Sequence, residues 1–135
     1  MRVLLDTNAY VAFKSGDPNT IDVVRLASEL RLSVVVVGEL LAGFAVGSRE
    51  ATNREQLARF LDSPRADVLA LTSETASFYA TVFASLKAKG RPIPTNDLWI
   101  AASALEHGLA LVSHDAHFRE IDGLRLVTRP EDLLP

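Results

Sequence analysis

The chain has 135 residues, of which 48% are apolar and 23% charged, a balance that supports a real core and excludes wholesale disorder. Lys plus Arg count 14 and Asp plus Glu 17, so the net charge of −3 gives no general attraction to nucleic acid, and any such binding must come from a local patch. With 0 Cys, disulfides, thiolate zinc sites and cysteine nucleophiles are excluded.

Val3-Leu4-Leu5 is a short apolar run closed by Asp6, which predicts a buried strand. It is much shorter than the apolar stretch of a secretory signal. Asp6-Thr7-Asn8 caps a short helix that ends near Ser15-Gly16. Asp17-Pro18-Asn19 restarts the chain into a helix running to about Leu30. The β-branched run Ser33 to Val37 predicts a second strand, and Gly38 to Val46 a helix with Leu40, Leu41 and Phe44 at core spacing. A polar helix from about Glu50 to Leu61 is ended by Ser63-Pro64. Val68 to Leu71 predicts a third strand. Ser73 to Lys89 predicts a long helix, closed by Gly90, in which Phe78, Val82 and Leu86 share a face. Thr95-Asn96-Asp97 opens a further helix that closes at His107-Gly108, and Leu109 to Ser113 and Leu124 to Val127 are the fourth and fifth strands. The run Val34 to Val37 is far too short to span a bilayer, so a soluble cytoplasmic protein is expected. The alternation predicts a single domain over residues 1–135, an α/β/α sandwich around a mostly parallel sheet of roughly five strands. In such folds ligands bind beyond the carboxyl ends of the strands.

Four acids interrupt these apolar stretches. Asp6 follows the first strand, Glu39 lies inside Val34 to Phe44, Asp97 heads a helix, and Asp115 follows Leu109 to His114. Two of the positions are strand ends and two are read as helix starts, which puts all four on one rim. Each has an ordinary use: Asp6 and Asp115 as N-caps, Asp97 as complement to a helix dipole, Glu39 on a solvated face. Gathered together they repel and raise one another's pKa, and an apolar setting disfavours an ionised carboxylate without a partner. A divalent cation relieves that conflict. Oxygen donors without Cys or a His cluster point to Mg²⁺ or Mn²⁺ rather than Zn²⁺, and such a cation activates water and neutralises charge on a phosphodiester. Ala42 and Gly43, one turn after Glu39, leave either open space beside it or a close helix contact.

The order and spacing of these pieces resemble a PIN domain of the VapC toxin class. The resemblance is carried by Leu4-Leu5-Asp6-Thr7-Asn8, by Val37-Gly38-Glu39-Leu40, by Ile93-Pro94-Thr95-Asn96-Asp97-Leu98-Trp99-Ile100-Ala101-Ala102, and by Leu111-Val112-Ser113-His114-Asp115-Ala116-His117-Phe118 with Ile121-Asp122-Gly123-Leu124. It implies a PIN-like fold, metal-dependent endonucleolytic cleavage of RNA that inhibits translation and growth, a cognate VapB-type antitoxin, a homodimer and a toxin–antitoxin hetero-oligomer. It makes Asp6, Glu39, Asp97 and Asp115 the catalytic, metal-binding quartet, with Glu39 and Asp115 completing the shell directly or through water. Asn8 and Ser113 match positions that hydrogen-bond the acids or their waters, with ordinary capping as the alternative. His114 stands where many relatives carry Asn, and Pro92 and Pro94 stiffen a loop that is commonly more flexible. No acid is lost, so these departures bear on substrate choice. His114 and His117 are read as substrate contacts or plain surface residues.

Lys87, Lys89 and Arg91, ahead of the Asp97 helix, are the candidates to hold RNA phosphates. Cations also belong at a helix C-terminus, the simpler explanation for the lysines. Arg49, Arg54 and Arg59 form a solvated face or, as the resemblance implies, part of an antitoxin groove, from which an antitoxin Arg would reach the carboxylates. Trp99 is expected in the core or at a dimer interface. Two rival readings stand beside the nuclease. One makes Asp6 a phosphoryl-accepting nucleophile, although such enzymes usually carry a second Asp where this chain has Asn8. The other is a PIN-like protein outside a toxin–antitoxin pair, either processing RNA or binding RNA or a partner without cutting.

Overall fold

Val3, Leu4 and Leu5 are wholly buried, and the strand they build, β1 (Arg2–Leu5), is the middle strand of a five-stranded sheet. The computed structural model describes residues 1–134. After β1 come α1 (Thr7–Lys14), α2 (Pro18–Leu26), β2 (Glu29–Ser33), α3 (Val34–Val46), α4 (Glu50–Leu61) and β3 (Ala66–Leu69). Then follow α5 (Ser73–Lys89), α6 (Thr95–His107), β4 (Ala110–Val112), a 3₁₀ helix (Ala116–Glu120), β5 (Leu126–Val127) and a second 3₁₀ turn (Pro130–Leu133). The strand order is β3-β2-β1-β4-β5, and every neighbouring pair is parallel. This is the α/β/α architecture expected from the alternation of strands and helices. Buried on both faces, Val3 to Leu5 of β1 and all of β4 are continuously apolar instead of alternating.

The strand order reverses at the centre. The chain moves outward from β1 through β2 to β3, then returns by α5 and α6 to lay β4 on the other side of β1. Right-handed crossovers therefore put α1 to α4 over one face and α5 and α6 over the other. The carboxyl ends of β1 and β4 lie side by side, joined by the Asp6 N–H donating to the Val112 carbonyl at 3.2 Å. In sheets of this kind the loops diverge around such a reversal, which is where ligands bind. The N-termini of α1, α3 and α6 open on the same rim, because each helix runs antiparallel to the strands it connects.

The expected boundaries hold for α4, α5 and α6, of which only α5 has a side-chain cap at its N-terminus, Thr72. Gly90 ends α5 in the left-handed conformation, φ 66°. The second strand is different. It occupies Glu29–Ser33, and the valine run Val34 to Val37 expected to form it opens α3 instead. Two contacts decide this. The Ser28 N–H donates to the Met1 carbonyl at 3.0 Å, so α2 stops at Leu26 rather than near Leu30 and the chain enters the sheet early. The Ser33 hydroxyl then accepts from the Val35 N–H at 3.1 Å and caps a helix. The β preference of valine is a context-dependent tendency, and register and cap override it. The third strand likewise starts at Ala66 instead of Val68, drawn in where the Leu30 N–H meets the Arg65 carbonyl at 2.7 Å. Among the described residues no helix is long and apolar enough to cross a membrane.

Leu111 lies on β4 between β1 and β5 and has no exposed surface. Leu111→Ala should lower the unfolding free energy by about 3 kcal/mol. The check is a urea titration in which the midpoint falls while the slope is unchanged.

Candidate active site

Asp6 is the first residue beyond β1 and is 5% exposed. Its carboxylate caps α1, accepting from the Ala9 N–H at 2.7 Å, and receives a hydrogen bond from the Ser113 hydroxyl. Ser113 and Asp115 lie on the neighbouring strand end, just past β4. The Ser113 Oγ accepts from the Asp115 N–H at 3.0 Å, and Asp115 caps the 3₁₀ helix by accepting from the His117 N–H at 3.0 Å. Asp97 comes from the other face of the sheet, in the first turn of α6, with its side chain 22% exposed. His117 joins these groups: its Nδ1 lies 3.3 Å from Asp97 and 3.2 Å from Asp115.

Glu39 enters from α3. It stands in the second turn of that helix, not at a helix start, because α3 begins at Val34. Its Oε1 accepts from the Thr7 hydroxyl at 2.7 Å, which ties the α3 carboxylate to the head of α1.

The electrostatics are those of crowded like charges. Burial pushes the Asp6 carboxyl above the usual carboxylate range; the hydrogen bonds from Ser113 and Ala9 pull it back, and the charges of Asp97 and Asp115 push it up again. Burial likewise raises Asp97, and the Asp115 and Glu39 charges add to the rise against the lowering contact with His117. Four chain segments thus meet at one crevice.

Not every expected residue joins them. Asn8 is exposed and its side chain makes no hydrogen bond among the described residues; its neighbour Thr7 reaches the acids instead. Lys89 is engaged elsewhere, donating to the Glu120 carbonyl at 2.6 Å and to Asp122 at 2.7 Å. Lys87 borders an apolar cleft with Phe83, Pro92 and Ile93. Trp99 is half-buried, its ring 4.2 Å from that of Tyr79 across the α5–α6 contact. Thr7 is the contribution that patterning missed, and His117, read as a substrate contact or a surface residue, lies instead against two of the acids. The available signal for His117 is its place two residues after a capping Asp, where a side chain folds back over the cap.

A profile of the PIN domain family matches residues 3–124. The chain belongs to the PIN domain family. It is 34% identical over 132 residues to ribonuclease VapC1 of Haemophilus influenzae strain R2866, covering 93% of this chain and 96% of that protein. It is 28% identical over 130 residues to ribonuclease VapC4 of Mycobacterium tuberculosis, covering 94% of this chain and 96% of that one. The crystal structure of VapBC2 from Rickettsia felis bound to a promoter DNA fragment superposes with a TM-score of 0.84 at 26% identity, over 94% of this chain and 98% of the other. The PIN fold described above is therefore shared almost end to end.

The donor set of this PIN domain suits a divalent cation. Asp97, Asp115 and His117 each present a ligand atom, all within 4.8 Å of one another. The buried, charge-crowded Asp6 borders them. Hard oxygen donors dominate, there is no thiolate, and two positive charges would cancel the repulsion that raises the acids.

Burial, with that repulsion added to it, fixes a pH dependence. With a folded-state pKa raised above its unfolded value, Asp6 contributes stability below the ordinary carboxylate range, about pH 4, and loses it as pH rises through the raised value. Asp6→Asn keeps an acceptor for the Ala9 N–H and removes the charge. In the presence of chelator, the Asn variant should melt about 3–5 °C above the parent at neutral pH. The gap should shrink toward zero as the pH is lowered to about 4. Melting curves across that range test it, and a variant no more stable than the parent at neutral pH would contradict the electrostatic account.

Proposed function

We propose that this PIN domain is a metal-dependent endoribonuclease, the toxin of a VapBC-type pair, that hydrolyses RNA phosphodiester bonds in the cytoplasm and so arrests translation. One observation carries the reading: Asp6, Asp97 and Asp115 converge where the strand order reverses, with Glu39 near enough to act on Asp97. The relatives named as ribonucleases support it.

In this reading Mg²⁺ or Mn²⁺ is held by Asp97, Asp115 and His117, with Asp6 and Glu39 completing the shell directly or through water. When bound, the cation supplies an activated water and neutralises charge on the phosphodiester. The chain's own groups position the rest. The Ala9 N–H and Ser113 fix the Asp6 carboxylate beside the other acids, and Thr7 holds Glu39 against α1. The imidazole of His117, a softer donor than carboxylate, tilts the site toward Mn²⁺ over Mg²⁺.

The partner is a VapB-type antitoxin, since the solved Rickettsia relative is a VapBC assembly. We place it in a groove of about 340 Å³ between α1, α3 and α4, lined by Tyr10, Lys14, Phe44, Arg49 and Asn53. The Tyr10 hydroxyl is buried and has no hydrogen-bond partner among the described residues. An antitoxin Arg reaching the carboxylates would compete with the cation. A second copy of the chain is placed on the outer surface of α5, where Phe78 and Phe83 are 38% and 49% exposed.

Purified Asp97→Asn should cut RNA slower by roughly two to three orders of magnitude while keeping its helical circular dichroism. Mn²⁺ should raise the melting temperature of the parent and leave that of the variant unmoved. Undiminished cleavage by the variant would overturn the proposal.

A further inference from the structure

An acidic crevice on a protein of net charge −3 repels the polyanion it is to cut, so the substrate needs fixed cations close by. The groove carrying Lys14 and Arg49 shares no residue with the acidic cluster. A different groove does. It has a volume of about 410 Å³ and lies between the α5–α6 loop and the 3₁₀ helix Ala116–Glu120, lined by Arg91, Pro92, Ile93, His117, Arg119 and Glu120. His117 is the residue whose ring touches Asp97 and Asp115, so this groove runs into the candidate active site.

Its two guanidinium groups are available. Among the described residues neither Arg91 nor Arg119 forms an ion pair or a side-chain hydrogen bond. The nearby Lys89 is instead consumed by Glu120 and Asp122, a contact that ties the end of α5 to the 3₁₀ helix and holds the groove's two walls together. The Glu120 carboxylate opposes the arginines, but two guanidiniums against one carboxylate leave the groove cationic. Arginine suits phosphate better than lysine does, through its planar fork of donors. Pro92 and Ile93 add apolar surface on which a base or ribose can rest.

We propose that Arg91 and Arg119 bind the RNA phosphates flanking the bond to be cut, and that the groove they line is the path by which single-stranded RNA reaches the acidic cluster. This rests on the ribonuclease reading and assigns the substrate track within it. Of the three cations expected to contact RNA, it retains Arg91, releases Lys87 and gives Lys89 a structural role, and it adds Arg119.

The test measures binding of a short fluorescent single-stranded oligoribonucleotide by anisotropy, with each change made in an Asp97→Asn background, which cuts it too slowly to deplete it during the measurement. Arg91→Ala and Arg119→Ala should each weaken binding about tenfold and lower the slope of log affinity against log salt by about 0.7. Arg119→Lys should recover the slope but only part of the affinity. Arg25→Ala, an exposed cation on α2, should change neither. With Asp97 intact, both arginine variants should raise KM with little change in kcat and leave Mn²⁺ titrations unaltered. If the parent cuts RNA and the double variant binds it with unchanged affinity and salt slope, the track is wrong and the ribonuclease reading survives. If the parent neither binds nor cuts RNA, both fall.

Discussion

The structure turns on a hydrogen bond that carries no chemistry of its own, the Asp6 amide donating to the Val112 carbonyl. It fastens the end of β1 to the end of β4, two strands that are distant in sequence and are brought together only because the sheet grows first one way and then the other. Everything acidic in the crevice is arranged around that junction. Asp6 leaves one strand, Ser113 and Asp115 leave the next, and α3 and α6 deliver Glu39 and Asp97 from the two faces. Taken singly, Asp6 and Asp115 are ordinary caps, Asp97 an ordinary first-turn acid and Glu39 an ordinary helix residue. The strand reversal makes them neighbours.

Such an arrangement is costly to fold. Buried acids pushed above their usual range mean that the native state disfavours its own charges, the reverse of what stabilising ion pairs do. The chain compensates locally and incompletely: a backbone amide and a serine hydroxyl on Asp6, a threonine on Glu39, an imidazole shared by Asp97 and Asp115. These contacts orient the carboxylates without neutralising them, which leaves the field in place for a cation. Strain of this kind held by a rigid frame is characteristic of sites that bind something.

Much of this was legible in the sequence because its causes are local. A short apolar run cut off by an acid marks a buried strand end, and closing glycines mark the ends of α5 and α6, so the pattern alone puts the acids on one rim. The failures share a different cause. Val34 to Val37 look like a strand in isolation, and only the Ser33 cap and the early entry of Ser28 into the sheet make them helical. That shift also carries Glu39 from a helix start into a second turn. Thr7 rather than Asn8 meets Glu39 because adjacent helical residues point about 100° apart, and the position of α3 decides which one is met. His117 depends on how a 3₁₀ turn folds over its own cap, a geometry with no periodic signature.

The valine run has a further consequence for the life of the chain outside its native state. Leu32 to Val37 is uncharged, lacks proline and is rich in β-branched residues, the composition of a segment that stacks into intermolecular sheets when exposed. In the native fold the segment is divided between an inner strand and a helix, so no edge presents it. Arg31 before it and Glu39 after it place a charge near either end, the gatekeeper pattern that discourages self-association. In a newly made or partly unfolded molecule these two charges flank a run whose composition favours stacking, so Glu39 has a place in the sequence pattern as well as in the folded site.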